Sequence, residues 1–169
     1  MTDILDSHPK PLKWSVSIVS HGHKESIERQ LNELSKHSIA QCAELLVTLN
    51  HPDETQICLD AWAGEKHVIR SERPKGYAEN HNQALSQAKG KFFAVIDPDL
   101  EWIGDPFPAL EQALSDPAVG ISAPCITNED GSLADSARPF PTMRRVSCVD
   151  CSGGMMATPI RRRTSPLTG

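Results

Sequence analysis

The sequence predicts an α/β fold built on a mostly parallel sheet flanked by helices. Short β-branched or apolar runs alternate with stretches of helical period, giving strand and helix in turn through five strands. The runs end in polar or turn-forming residues, as strands do where open α/β sheets present ligands. The 169 residues are 38% hydrophobic and 23% charged, which suits one packed core and argues against disorder.

The elements follow in order. Residues 1–13 read as a flexible leader. Val16-Ser17-Ile18-Val19-Ser20 is the first strand, broken by His21-Gly22-His23. A helix is expected over Glu25 to Lys36, with Ile27, Leu31 and Leu34 on one face. The second strand covers Glu44 to Leu49 and ends in the turn signal Asn50-His51-Pro52-Asp53. Gln56 to Trp62 reads as a short helix closed by Gly64. His67 to Arg70 is a short third strand. Gly76 opens a helix through about Ala88, with Tyr77, His81, Leu85 and Ala88 on one side and Gly90 as its C-cap. Phe92 to Ile96 is the fourth strand, and Pro106 starts a helix turning Phe107, Leu110 and Leu114 inward. Val119 to Ala123 completes the set, and Asp130-Gly131 makes a turn.

The chemistry concentrates in Asp97-Pro98-Asp99, directly after the apolar run Phe92 to Ile96. Two carboxylates one residue apart at a strand end repel each other, and a divalent cation removes the conflict. Hard Mg²⁺ or Mn²⁺ prefers oxygen and is commonly shared between carboxylates and a substrate's phosphates. Three other polar loops stand at strand ends: His21 to His23, Asn50 to Asp53, and Arg73 to Asn82. Parallel strands would bring all four to one edge of the sheet.

Several blocks in this order resemble a known family. They are Val16 to His21, Arg73-Pro74-Lys75-Gly76-Tyr77-Ala78-Glu79-Asn80-His81-Asn82-Gln83-Ala84-Leu85, Ala88 to Asp99, Asp116 to Pro124, Asp130-Gly131-Ser132, and Ser136 to Thr142. Together they resemble the N-terminal, nucleotide-sugar-binding part of a family 2 glycosyltransferase with a GT-A, Rossmann-type fold. Within that family they resemble the bacterial rhamnosyltransferase-like branch that builds surface polysaccharides. The resemblance covers residues 14–157, leaving 158–169 as a basic disordered tail.

The resemblance implies transfer of a sugar from a UDP-, dTDP- or GDP-linked donor to a glycan or lipid-linked acceptor. It places Ser20 and His21 beside the nucleotide base, with Asp53 or Asn50 as a further base contact. Gly76 would let the backbone approach the nucleotide, and Asn82 would fix the loop or the sugar. Asp97 and Asp99 would be the D-x-D pair on Mg²⁺ or Mn²⁺, Asp97 also meeting the donor. Inverting transfer further needs a base to deprotonate the acceptor hydroxyl. The family's base usually lies further on, whereas here no acid follows Asp150. The expectation is therefore a truncated or frameshifted enzyme. The alternative is a nucleotide-binding remnant that does not catalyse transfer.

Other classes fit less well. A nucleotidyltransferase usually carries a Gly-rich, basic loop after strand one, and His21-Gly22-His23-Lys24 is poor in glycine. No G-x-G-x-x-G follows a strand, which argues against a dinucleotide-binding domain. The net charge of −5 is uneven: Arg138 to Gly169 holds six arginines against one acid. The acidic main body speaks against nucleic-acid binding, and the basic tail allows peripheral contact with anionic lipid. Five cysteines, an odd count, argue against a disulfide framework. Cys148-Val149-Asp150-Cys151 offers a redox pair or half a zinc site, with no second pair to complete it. Without an apolar signal core, the chain is expected in the cytosol or on the inner face of the cytoplasmic membrane.

Overall fold

The structure, a computed structural model, describes residues 12–54, 57–134 and 160–162. Residues 1–11 of the leader, the block Ser136 to Thr142, Cys148, Asp150, Cys151 and the Met155–Met156 pair lie outside the described residues. The chain divides into two compact units, Met1–Pro98 and Asp99–Gly169.

The first unit is a parallel four-stranded sheet. Its strands are β1 (Trp14–Ser20), β2 (Ala43–Leu49), β3 (Lys66–Arg70) and β4 (Phe92–Ile96), in the order β3-β2-β1-β4. Helix α1 (Lys24–Leu34) joins β1 to β2, and α2 (Tyr77–Leu85) precedes β4. The chain winds from β1 out to β3, then crosses back to the far side of β1. Right-handed crossovers in opposite directions place α1 and α2 on opposite faces of the sheet. All seven residues of β1 and of β2 are buried, as expected of a parallel sheet covered on both sides.

The two faces are built differently. The α1 stripe of Ile27, Leu31 and Leu34 is fully buried, as its spacing predicts. On the α2 side the core comprises Leu46, Ile69 and Ala84, with Ala88 and Phe93 packed against it. The buried residues of α2 are Asn80, His81 and Ala84, while Tyr77 and Leu85 are about half exposed. The expected Tyr77–Leu85 stripe is thus rotated. Polar Asn80 and His81 can face inward because buried hydrogen bonds meet them there, including one between Ser17 Oγ and His81 Nδ1 at 2.8 Å.

Two further expectations are corrected in this unit. Helix α2 ends at Leu85, so Gly90 is not its C-cap. Gly90 instead lies against β1, where an added Cβ would stand 2.4 Å from the Trp14 carbonyl carbon and 2.6 Å from the Ser15 nitrogen. Its N–H donates to Ser15 Oγ at 2.8 Å. Nor is there a helix over Ile57 to Trp62, which carries only a turn at Asp60–Ala61. Lys66 Nζ donates to the carbonyls of Leu59 and Trp62, holding the segment to the start of β3, and the Trp62 ring is buried.

The second unit holds α3 (Phe107–Ala113) and a three-stranded sheet in the order β5-β7-β6. The strands are β5 (Leu100–Trp102), β6 (Ile126–Thr127) and β7 (Ile160–Arg162). Strand β7 is antiparallel to β5 and parallel to β6. The expected disordered tail therefore contains a strand, which satisfies backbone groups that two separate edges would leave unpaired. Asp105 Oδ1 accepts the Phe107 N–H at 3.1 Å at the start of α3, and the Phe107 ring packs 5.5 Å from that of Trp102. Val119 to Ala123 is not a strand, and Ile121 is 90% exposed. Pro117, Gly120 and Pro124 punctuate that run, and pairing begins only at Ile126. The Asp130–Gly131 turn forms as expected, with Gly131 at φ 83°.

Candidate functional site

The strand order defines where a ligand would enter. A sheet wound in both directions from one strand opens a crevice at the carboxyl ends of the strands flanking the reversal. Here the reversal lies between β1 and β4. Ser20 and His21 stand on one side of it and Asp97 on the other.

Asn50 organises this edge. It is 1% exposed, and its backbone N–H donates to the Ser20 carbonyl at 3.0 Å. Its side chain grips the peptide groups of Lys75. Nδ2 donates to the Lys75 carbonyl at 3.0 Å, and Oδ1 accepts the Lys75 N–H at 2.8 Å. The second amide hydrogen goes to His21 Nδ1 at 2.9 Å. An amide nitrogen can only donate, so His21 carries its own proton on Nε2. Asn80 adds a bond from Nδ2 to the same Lys75 carbonyl at 3.2 Å. Two buried asparagines thus hold the turn before α2. At the next residue, Gly76, an added Cβ would meet no atom within 4 Å, so the backbone there is open to approach.

Ser20 is buried and donates to Glu54 Oε1. The other carboxylate oxygen of Glu54 is buried with no hydrogen-bond partner among the described residues. The Glu54 carbonyl accepts Arg70 Nη1–H at 2.9 Å, which fixes its backbone. Asp53 beside it is exposed, 3.7 Å from His51 Nδ1. The sequence reading named Asp53 and not Glu54, whose carboxylate is the one turned inward here. The only signal for it was its place in the loop after β2.

Asp97 is half-buried just after β4, and its Oδ1 accepts the Tyr77 hydroxyl at 3.0 Å. The Tyr77 ring meets the His81 imidazole edge-on, with centroids 4.5 Å apart. Burial pushes the pKa of His81 below the usual imidazole value, and the negative charge of Asp97 opposes that shift. His81 Nε2 is buried with no hydrogen-bond partner among the described residues. Among the described residues Asp97 has no ion-pair partner, and carboxylate oxygen is the ligand type a hard divalent cation prefers. Asp99 is half-buried and opens the second unit. Asn82 is exposed on α2. So the first unit brings Ser20, His21, Asn50, Gly76 and Asp97 to one edge, and leaves the side chains of Asp53 and Asn82 to solvent.

Comparison with known proteins agrees with this architecture. Residues 15–153 match the family model described as glycosyl transferase family 2. Among solved structures, S. aureus TarS is similar at a TM-score of 0.55 and 18% identity, covering 89% of this chain and 28% of that one. The mannosyltransferase PcManGT from Pyrobaculum calidifontis, in complex with GDP-Man and Mn²⁺, is similar at a TM-score of 0.50 and 19% identity. That match covers 72% of this chain and 37% of PcManGT, so the chain spans well under half of either structure. No curated protein matches the sequence. Among the described residues, no helix is long and apolar enough to cross a membrane.

Proposed function

From the premise that this chain belongs to glycosyl transferase family 2, we propose that it binds a nucleotide-diphosphate sugar at the carboxyl edge of the four-stranded sheet. The sugar would pass to a polysaccharide or lipid-linked acceptor in surface-glycan synthesis, as in the rhamnosyltransferase-like branch. The observation that carries the reading is the β1–β4 reversal, flanked by the loop gripped by Asn50 on one side and by Asp97 on the other.

The residues take the following roles. Ser20 holds Glu54 so that its second oxygen can accept an N–H or O–H from the nucleoside. His21, protonated on Nε2, offers a donor beside it. Gly76 admits the donor to its backbone, and Asn82 and Asp53 give solvent-side contacts. Asp97, oriented by Tyr77, and Asp99 would hold Mg²⁺ or Mn²⁺. When bound, that cation offsets charge on the diphosphate as the sugar–phosphate bond breaks. The acceptor oxygen would bond to the anomeric carbon as the nucleoside diphosphate leaves with the electrons of the sugar–phosphate bond, the hydroxyl proton passing to solvent. The chain would work in the cytosol, with peripheral contact at the membrane's inner face.

The second reading is a chain that binds donor without transferring it. Calorimetric titration of UDP, dTDP and GDP, with and without Mn²⁺, tests both. Metal-dependent binding that disappears in Asp99→Ala supports the donor site. Transfer of radiolabelled sugar then separates enzyme from binder. A folded protein that binds no nucleotide overturns both.

A further inference from the structure

The opposite edge of the same sheet carries a second cluster. Glu44 stands near the start of β2, Glu65 just before β3 and His67 within it. Glu44 is 0% exposed. Burying a carboxylate is costly unless each oxygen is satisfied. Its Oε1 is satisfied, accepting Ser15 Oγ–H and the Lys89 N–H, each at 2.6 Å. Its Oε2 is buried with no hydrogen-bond partner among the described residues, and the His67 Nε2 it faces is 3.7 Å away. Glu65 Oε1 lies 3.0 Å from the same Nε2. One oxygen from each acid and the imidazole nitrogen lie within 4.8 Å of one another.

We propose that Glu44, Glu65 and His67 form a binding site for a zinc-class transition-metal ion. Tetrahedral zinc with bonds of about 2.0–2.2 Å sets its ligand atoms roughly 3.3 Å apart. The two spacings to His67 Nε2, 3.0 and 3.7 Å, bracket that figure. The exposed Glu65 closes the remaining gap by rotating its side chain. An imidazole with two carboxylates leaves a fourth position for water and favours zinc over the all-oxygen preference of Mg²⁺. The exposed ammonium of Lys89 sits on Glu65 Oε1. That ammonium is one cationic side chain beside two acidic ones. Lys89 swings aside on its flexible stem when a dication enters. The metal would clip the start of β2 to the start of β3, away from the donor edge.

The test uses the full chain, stripped by a chelator and titrated with Zn²⁺ by calorimetry. Because the sequence also holds cysteines, the readout is what substitutions at the exposed Glu65 and the half-buried His67 remove. His67→Gln and Glu65→Gln are each expected to weaken one zinc equivalent at least tenfold, with circular dichroism unchanged. Asp99→Ala keeps that equivalent, which makes the result independent of the donor site. Absence of zinc binding by the folded chain, or binding that neither substitution alters, overturns the proposal.

Discussion

The hydroxyl of Tyr77 donates to Asp97 Oδ1 across 3.0 Å, tying the first residue of α2 to the residue that follows β4. Tyr77 is 54% exposed, so the bond orients a carboxylate more than it stabilises the fold. Loss of a partner that orients a metal's ligand typically costs about ten- to a hundredfold in affinity, the exposed ones at the low end. Tyr77→Phe is expected to weaken Mn²⁺-dependent nucleotide binding about tenfold. Its stability in urea unfolding should stay within about 0.5 kcal/mol of the parent. Unchanged binding in calorimetry would remove Tyr77 from the site.

Asn50 is expected to be sensitive to the chemistry of its replacement rather than its size. Asn50→Ala leaves the Lys75 peptide groups without their side-chain partner and costs about 2 kcal/mol. Asn50→Asp keeps the shape but turns an acceptor toward the Lys75 carbonyl, and should cost at least as much. Urea unfolding of both variants checks this; an aspartate variant as stable as the parent would show that the grip is dispensable.

Gly90 has no room for a side chain. Gly90→Ala drives a methyl into backbone atoms of Trp14 and Ser15, which cannot yield as a side-chain tip can. A loss of about 3 kcal/mol or more is expected in thermal or urea unfolding. A loss below about 1 kcal/mol would show that β1 and the Gly90 turn move apart freely.

His81 makes stability fall with acid. Its folded pKa lies below the unfolded value of 6.5 because burial disfavours the imidazolium. The unfolded chain therefore takes up this proton first as pH drops. The contribution is complete above pH 6.5 and is lost as pH falls from there toward the folded pKa. His81→Gln should show a shallower decline than the parent in chelator-containing buffer. Identical slopes would mean that His81 is not what titrates.

Much of the first unit was legible because its signals are local. The β-branched run of β1, the helical spacing of Ile27, Leu31 and Leu34, and the apolar run of β4 each name their element. What escaped depends on partners distant in sequence. Nothing adjacent to Glu44 or His81 announces a buried polar group, yet Ser15 and Ser17 supply the hydrogen bonds that let them be buried. Gly90 was expected to matter, but the reason is the backbone of β1, 75 residues away, not the helix before it. Strands β5 and β6 hold three and two residues, too few to show a period, and their pairing comes from β7. The strand ends named from sequence place Ser20, His21, Asn50 and Asp97 at one edge of the sheet. The choice between Asp53 and Glu54 depends on which side chain the turn points inward, and composition does not encode that.

The order β3-β2-β1-β4 also sets a hazard during synthesis. Strands β1, β2 and β3 leave the ribosome well before Phe92 to Ile96. Until β4 arrives, β1 is an edge strand whose backbone groups on that side are open to any passing chain. Docking of Gly90 and β4 is thus the step that covers this side of β1, and slowing elongation shortly before that point would lengthen its exposure.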